Sequence, residues 1–110
     1  METEQFNEIV RKRLIATSDT LTHKADEYAR GDRLSNFKQI AHLTGYTPEK
    51  ALGGLVAKHI VALYDFINDL DSGMSQPYCR WNEKIGDIIA YMILLDATIL
   101  EKYPDGKTTV

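Results

Sequence analysis

Between Ile85 and Leu100 the chain places Ile85, Ile88, Ile89, Met92, Ile93, Leu94, Leu95, Ile99 and Leu100, so that a helix here is apolar on most sides. Such a helix has to be covered all round, and this requirement limits the chain to folds in which the segment is central. Its longest unbroken apolar run, Ile88 to Leu95, falls far short of the ~20 residues of a membrane span. A chain of 110 residues provides one small domain. Three neighbouring helices in so small a bundle hardly suffice to cover the segment, so a second subunit is expected over part of it.

The rest of the chain supplies the neighbours. Phe6, Ile9, Val10, Leu14, Thr17, Leu21, Ala25 and Tyr28 recur at three- and four-residue steps, which predicts a long amphipathic helix over about residues 3–30. Gly31 ends it. Asp32 is an N-cap for a short second helix carrying Leu34, Phe37, Ile40 and Ala41, which Gly45 closes. Thr47-Pro48-Glu49 reads as N-cap, first helical residue and first-turn acid, and a third helix follows to about Leu70. A loop over Asp71 to Tyr78 leads to the fourth helix, from about Arg80 to before Pro104. The expectation is an all-α, compact four-helix bundle-like domain over residues 1–104, with a frayed tail at 105–110. Gly53-Gly54, inside the third helix, costs about 2 kcal/mol of propensity relative to alanine. Tight packing of another helix, or a ligand, is the expected compensation.

Composition removes several function classes. A net charge of −3 gives no electrostatic reason to expect nucleic-acid binding, while leaving room for a local basic pocket. One cysteine, Cys79, makes neither an internal disulfide nor a zinc site, and points to a reducing compartment. The acidic start, Met-Glu-Thr-Glu-Gln, is unlike a signal peptide. The expected location is the cytoplasm.

Four polar groups line up by helical spacing. Lys24, Glu27 and Tyr28 share a face of the first helix, and Asp32-Arg33 and Asn36-Phe37 follow it. Lys58 and Asp65 lie two turns apart on the third helix, and Lys84, Asp87 and Tyr91 form a stripe on the fourth, with Glu83 four residues before Asp87. Lys24–Glu27 and Lys84–Asp87 also read as surface ion pairs, which are worth little. Asp87 sits between a glycine and an apolar run, so its carboxylate needs a cation, a metal or hydrogen-bond donors. His59 falls within an apolar stripe, where a histidine is more often a hydrogen-bonded core residue than a ligand. His23 and His42 read as surface residues, and Phe37, Tyr28 and Trp81 as core.

Glu83-Lys84-Ile85-Gly86-Asp87, followed by Ile-Ile-Ala-Tyr-Met-Ile-Leu-Leu, resembles the second signature of the MazG-like all-α nucleotide pyrophosphohydrolases. In that family a Glu-Glu-Leu-Gly-Asp-like segment leads into a long apolar helix. Lys24-Ala-Asp-Glu27-Tyr28, Asp32-Arg33-Leu34-Ser35-Asn36-Phe37, Thr47-Pro48-Glu49 and Lys58-His59 also resemble small phage and prophage proteins grouped with that superfamily. The likeness covers about residues 20–100. It implies magnesium held by carboxylates from two helices, with a metal-activated water attacking phosphorus. The chain departs from that pattern. The first signature's Glu-Glu-x-x-Glu has no counterpart, because no glutamate lies between Lys50 and Leu70; the second signature's glutamate is Lys84, with Glu83 displaced by one position. Lysine in place of acid turns a metal site toward an anion site, since lysines meet phosphate directly.

Three readings follow. The first is a non-hydrolytic binder of a phosphorylated nucleotide, in a phage setting a decoy that sequesters a nucleotide signal of host defence. Its ligand residues would be Lys24, Tyr28, Asp32, Arg33, Asn36, Lys58, His59, Lys84, Asp87 and Tyr91, needing no metal. The second is a Mg2+-dependent nucleoside triphosphate pyrophosphohydrolase in which Glu27, Asp65, Glu83 and Asp87 converge, Glu83 and Asp87 holding the metal. The third is a phage inhibitor that acts by contact with a host protein. A homo-oligomer accompanies the first reading.

Overall fold

The computed structural model describes residues 1–28 and 31–104, except the side chains of residues 24–28. Lys24, Glu27 and Tyr28, as side chains, and the tail at 105–110 therefore lie outside the described residues. Four helices follow in order: α1 Thr3–Tyr28, α2 Ser35–Thr44, α3 Pro48–Asp71 and α4 Tyr78–Lys102. Among the described residues there is no strand, and no helix is long and apolar enough to cross a membrane.

Local chemistry sets the helix ends. The Thr47 hydroxyl accepts from the Lys50 N–H at 3.2 Å, and Pro48 opens α3, its missing N–H costing nothing there. Gly45 closes α2 at φ 73°, a left-handed turn that glycine enters without a Cβ clash, and its N–H returns to the Ala41 carbonyl. Asp32 departs from expectation. It does not cap α2; its carboxylate accepts from the Leu34 N–H at 2.9 Å and from Lys38 at 2.7 Å, and the helix begins only at Ser35. This is an aspartate turn of the kind that competes with helix capping. The helix α4 also starts two residues earlier than expected, at Tyr78.

The core is small and lies among α2, α3 and α4. Leu34, Phe37, Leu52 and Val56 are its buried members, with Leu55, Tyr91, Leu94 and Leu95 packed against them. The helices α3 and α4 form an antiparallel hairpin: Phe66 meets Trp81 edge-on at 5.5 Å near the loop, and His59 meets Tyr91 two turns away. The helix α1 crosses α4 in the parallel sense. Arg13 donates to the Asn82 carbonyl at 3.2 Å and lies against Gly86, where the missing side chain leaves room for the guanidinium. Further along, Thr17 is buried and Leu21 reaches the level of Ala90.

Two expectations fare differently. Nothing lies within 4 Å of where a Cβ would stand at Gly53 or Gly54, so the tight packing expected there does not occur among the described residues. The apolar α4 stays partly uncovered, with Met92, Ile93 and Leu100 more than two-fifths exposed.

Candidate functional site

All four helices contribute to one cleft of about 340 Å³. Its apolar wall comes from Leu21 of α1, Phe37 and Ile40 of α2, Leu55 of α3, and Ala90 and Leu94 of α4. These are the core stripes of their helices, which diverge here instead of closing on one another. The polar groups are Thr20, Arg33, Asn36, His59, Asp87 and Tyr91.

Arg33 sits in the connection between α1 and α2. One of its guanidinium nitrogens donates to the Leu21 carbonyl at 3.1 Å, fixing the side chain between the two helices. A guanidinium carries five N–H donors, and this is the one hydrogen bond of the Arg33 side chain among the described residues. Across the cleft, His59 and Asp87 face each other with Nδ1 and Oδ2 4.0 Å apart, their side chains 19% and 30% exposed. That separation is too long for a hydrogen bond, so both groups keep bonding capacity for an atom placed beside them. The His59 ring lies 5.0 Å from the Tyr91 ring at a tilt of 38°. Burial, and then the charge of Asp87, raise the Tyr91 pKa above the ordinary phenol value. Its hydroxyl therefore stays protonated at neutral pH and is available as a donor.

The structure thus brings Arg33, Asn36, His59, Asp87 and Tyr91 to one cleft. His59 is half-buried at its edge rather than a hydrogen-bonded core residue. Lys58 and Lys84 do not line the cleft, and Lys58 is exposed. Asp32 is engaged with Lys38 at the corner before α2; Lys38 draws the Asp32 pKa below the ordinary carboxylate value, with help from the Leu34 N–H. Asp65 and Glu83 are exposed and also outside the lining. Lys84 and Asp87 form no ion pair with each other among the described residues, where the acid's neighbour is the His59 imidazole. Leu21, Phe37, Ile40 and Leu94 were read in the sequence as core stripe rather than as site, and Thr20 was not singled out. Thr20 carries one signal: it stands one helical turn before Lys24, so the two share a face of α1.

A magnesium site is built from carboxylates with water or substrate phosphate. Among the described residues no three His, Cys, Asp or Glu side chains come together in a way that could hold a metal ion. Asp87 is the one described carboxylate in the cleft. The described residues therefore do not fit the metal that the MazG-like resemblance implies. What they offer instead is a guanidinium, a carboxamide, a phenol, an imidazole and one carboxylate around an apolar floor.

No protein-family model, curated protein or solved structure matches this chain. The likeness to the MazG-like enzymes rests on the residues quoted above.

Proposed function

We propose that the cleft binds a small phosphorylated nucleotide and does not hydrolyse it. The observation that carries this reading is the convergence of Arg33, Asn36, His59, Asp87 and Tyr91 around an apolar floor. Each group has a task in such a complex. Arg33 meets the phosphate, for which a guanidinium is well shaped. Asp87 accepts from a ribose hydroxyl or a base amino group, Asn36 pairs with a base edge, and the His59 and Tyr91 rings offer a face for stacking. A volume of about 340 Å³ stands at the low end of ligand clefts and suits one nucleotide rather than two. A protein that holds a nucleotide intact acts as a sink for it, and the resemblance to phage proteins makes a signal of host defence the natural target.

The test is native mass spectrometry of the purified protein with a panel of nucleoside mono-, di- and triphosphates, with and without magnesium. The expected result is a complex of unchanged ligand mass that does not require magnesium. Arg33→Ala should weaken it by about 10- to 100-fold, the worth of a hydrogen bond to a charged group. Absence of binding across the panel would end the nucleotide reading. Release of pyrophosphate from a triphosphate would replace it with the pyrophosphohydrolase reading.

A further inference from the structure

The helix α1 continues its inward stripe past the body of the molecule. Phe6, Ile9 and Val10 lie on the same helical face as Arg13, Thr17 and Leu21, by steps of three, four and seven residues. From Arg13 onward α4 lies against part of this face, while Leu14 at its margin stays 62% exposed. Before Arg13 it is open: Phe6 is 57% exposed, Ile9 48% and Val10 40%. Ten helical residues, about 15 Å of α1, extend in this way.

The whole chain shows the same shortfall. Its accessible surface is 8285 Å², whereas a compact monomer of 12.5 kDa exposes about 6,200 Å². Its radius of gyration is 16.5 Å, against about 13 Å for a compact chain of this length. The excess of about 2,000 Å² belongs to the chain as a whole, and the open stretch of α1 is one part of it.

We infer that the N-terminal half of α1 pairs antiparallel with the same segment of a second copy, about a two-fold axis. The choice of a second copy over another partner rests on the order of charges along the stripe. Glu2 stands at one end of it, Phe6 and Ile9 in the middle, and Arg13 at the other end. Antiparallel pairing that sets Phe6 opposite Ile9 also sets Glu2 opposite Arg13, twice by symmetry. Such self-complementarity is what a two-fold interface requires. Arg13 spends one nitrogen on the Asn82 carbonyl, and a guanidinium retains further donors for a partner's carboxylate. Because α1 also carries Thr20 and Leu21 into the cleft, pairing would hold the helix that forms one of its walls. The inference does not depend on what the cleft binds.

Sedimentation equilibrium on the purified chain tests it. The wild type is expected to be a dimer, and I9D/V10D a monomer with unchanged helical circular dichroism, its association weakened at least about 30-fold. E2K and R13E should each loosen the dimer by bringing like charges together, and E2K/R13E should tighten it again. A wild type that stays monomeric at its highest soluble concentration overturns the inference, whether or not another protein binds there. So does a dimer that I9D/V10D leaves intact. A double reversal that fails to recover what either single reversal loses overturns the antiparallel arrangement.

Discussion

Residues 17–21 and 6–10 of α1 belong to one stripe, yet Thr17 is 5% exposed and Phe6 57%. Local sequence alone would favour the opposite order, since Phe6, Ile9 and Val10 are apolar whereas residues 17–21 read Thr-Ser-Asp-Thr-Leu. The difference is what stands opposite. The later stretch meets α4 and the cleft; the earlier one has passed the start of α4. An amphipathic pattern therefore specifies a face that needs covering, and leaves open which chain covers it. The same contrast recurs on α3, where Leu52 is fully buried while Val61 and Tyr64 on the outward side are 63% and 60% exposed.

The largest expected effect breaks the comparison at its packed end. Leu52→Ala removes the one fully buried large side chain among the described residues and should cost about 2–5 kcal/mol, the range for emptying a core leucine site. Ile9→Ala, in the open stretch, should cost under about 0.5 kcal/mol at protein concentrations where the chain is monomeric. Urea unfolding midpoints at low and high protein concentration read both. A loss at Ile9 that matches Leu52 at low concentration would mean that α1 packs on its own chain.

The exposed glycine pair sharpens the contrast on α3. Gly53 and Gly54 have open space where a side chain would go, so alanine meets no clash and gains helix propensity. Gly53→Ala and Gly54→Ala should each stabilise the protein by about 1 kcal/mol, which is about 4–8 °C in Tm for a domain of this size. A thermal melt that drops instead would mean that another backbone or a ligand approaches those positions in solution.

Parts of this picture were legible in the sequence because they depend on neighbouring residues alone. Thr47-Pro48-Glu49 marks the start of α3 through cap chemistry that tertiary packing leaves in place. Asp32 offers the same signal and its carboxylate does accept the N–H two residues on, yet residues 33–34 form a turn and the helix begins only at Ser35. In the cleft, Arg33, Asn36, His59, Asp87 and Tyr91 were readable as polar residues beside apolar stripes. Lys58 and His59 differ in pattern, His59 falling in the apolar stripe of α3 and Lys58 on its polar side, because one residue is a turn of about 100° around the helix. That angle puts His59 in the cleft and Lys58 in solvent. The uncovered half of α1 was illegible for a different reason: helix lengths and crossing points decide where one helix outruns another, and no residue records them.

Thr17 marks the boundary between the two halves of α1 and supplies a smaller effect. Its hydroxyl is buried and has no hydrogen-bond partner among the described residues. An unsatisfied buried polar group costs about 1–3 kcal/mol, and an apolar group of the same shape avoids that cost. Thr17→Val should therefore raise stability by about 1 kcal/mol, visible as a shift of the urea midpoint without a change of slope. A lower midpoint would show that the hydroxyl finds a partner when α1 is held by a second copy or by water.

The smallest effect concerns the corner that carries Arg33 from α1 toward the cleft. Lys38 and the Leu34 N–H hold the Asp32 pKa below its ordinary value. A depressed folded-state pKa contributes stability that is present above the unfolded value, near 3.9 for aspartate, and is lost as pH falls through the folded one. Asp32→Asn keeps an oxygen for the Leu34 N–H and removes the charge together with the acceptor for Lys38. The wild type should thus exceed the variant by a constant margin from neutral pH down to about 4, and the margin should shrink below that. Both groups of the pair are more than two-fifths exposed, so added salt should narrow the margin. A margin that stays constant below pH 4 would show that it comes from the altered hydrogen bonds and not from the Asp32 charge.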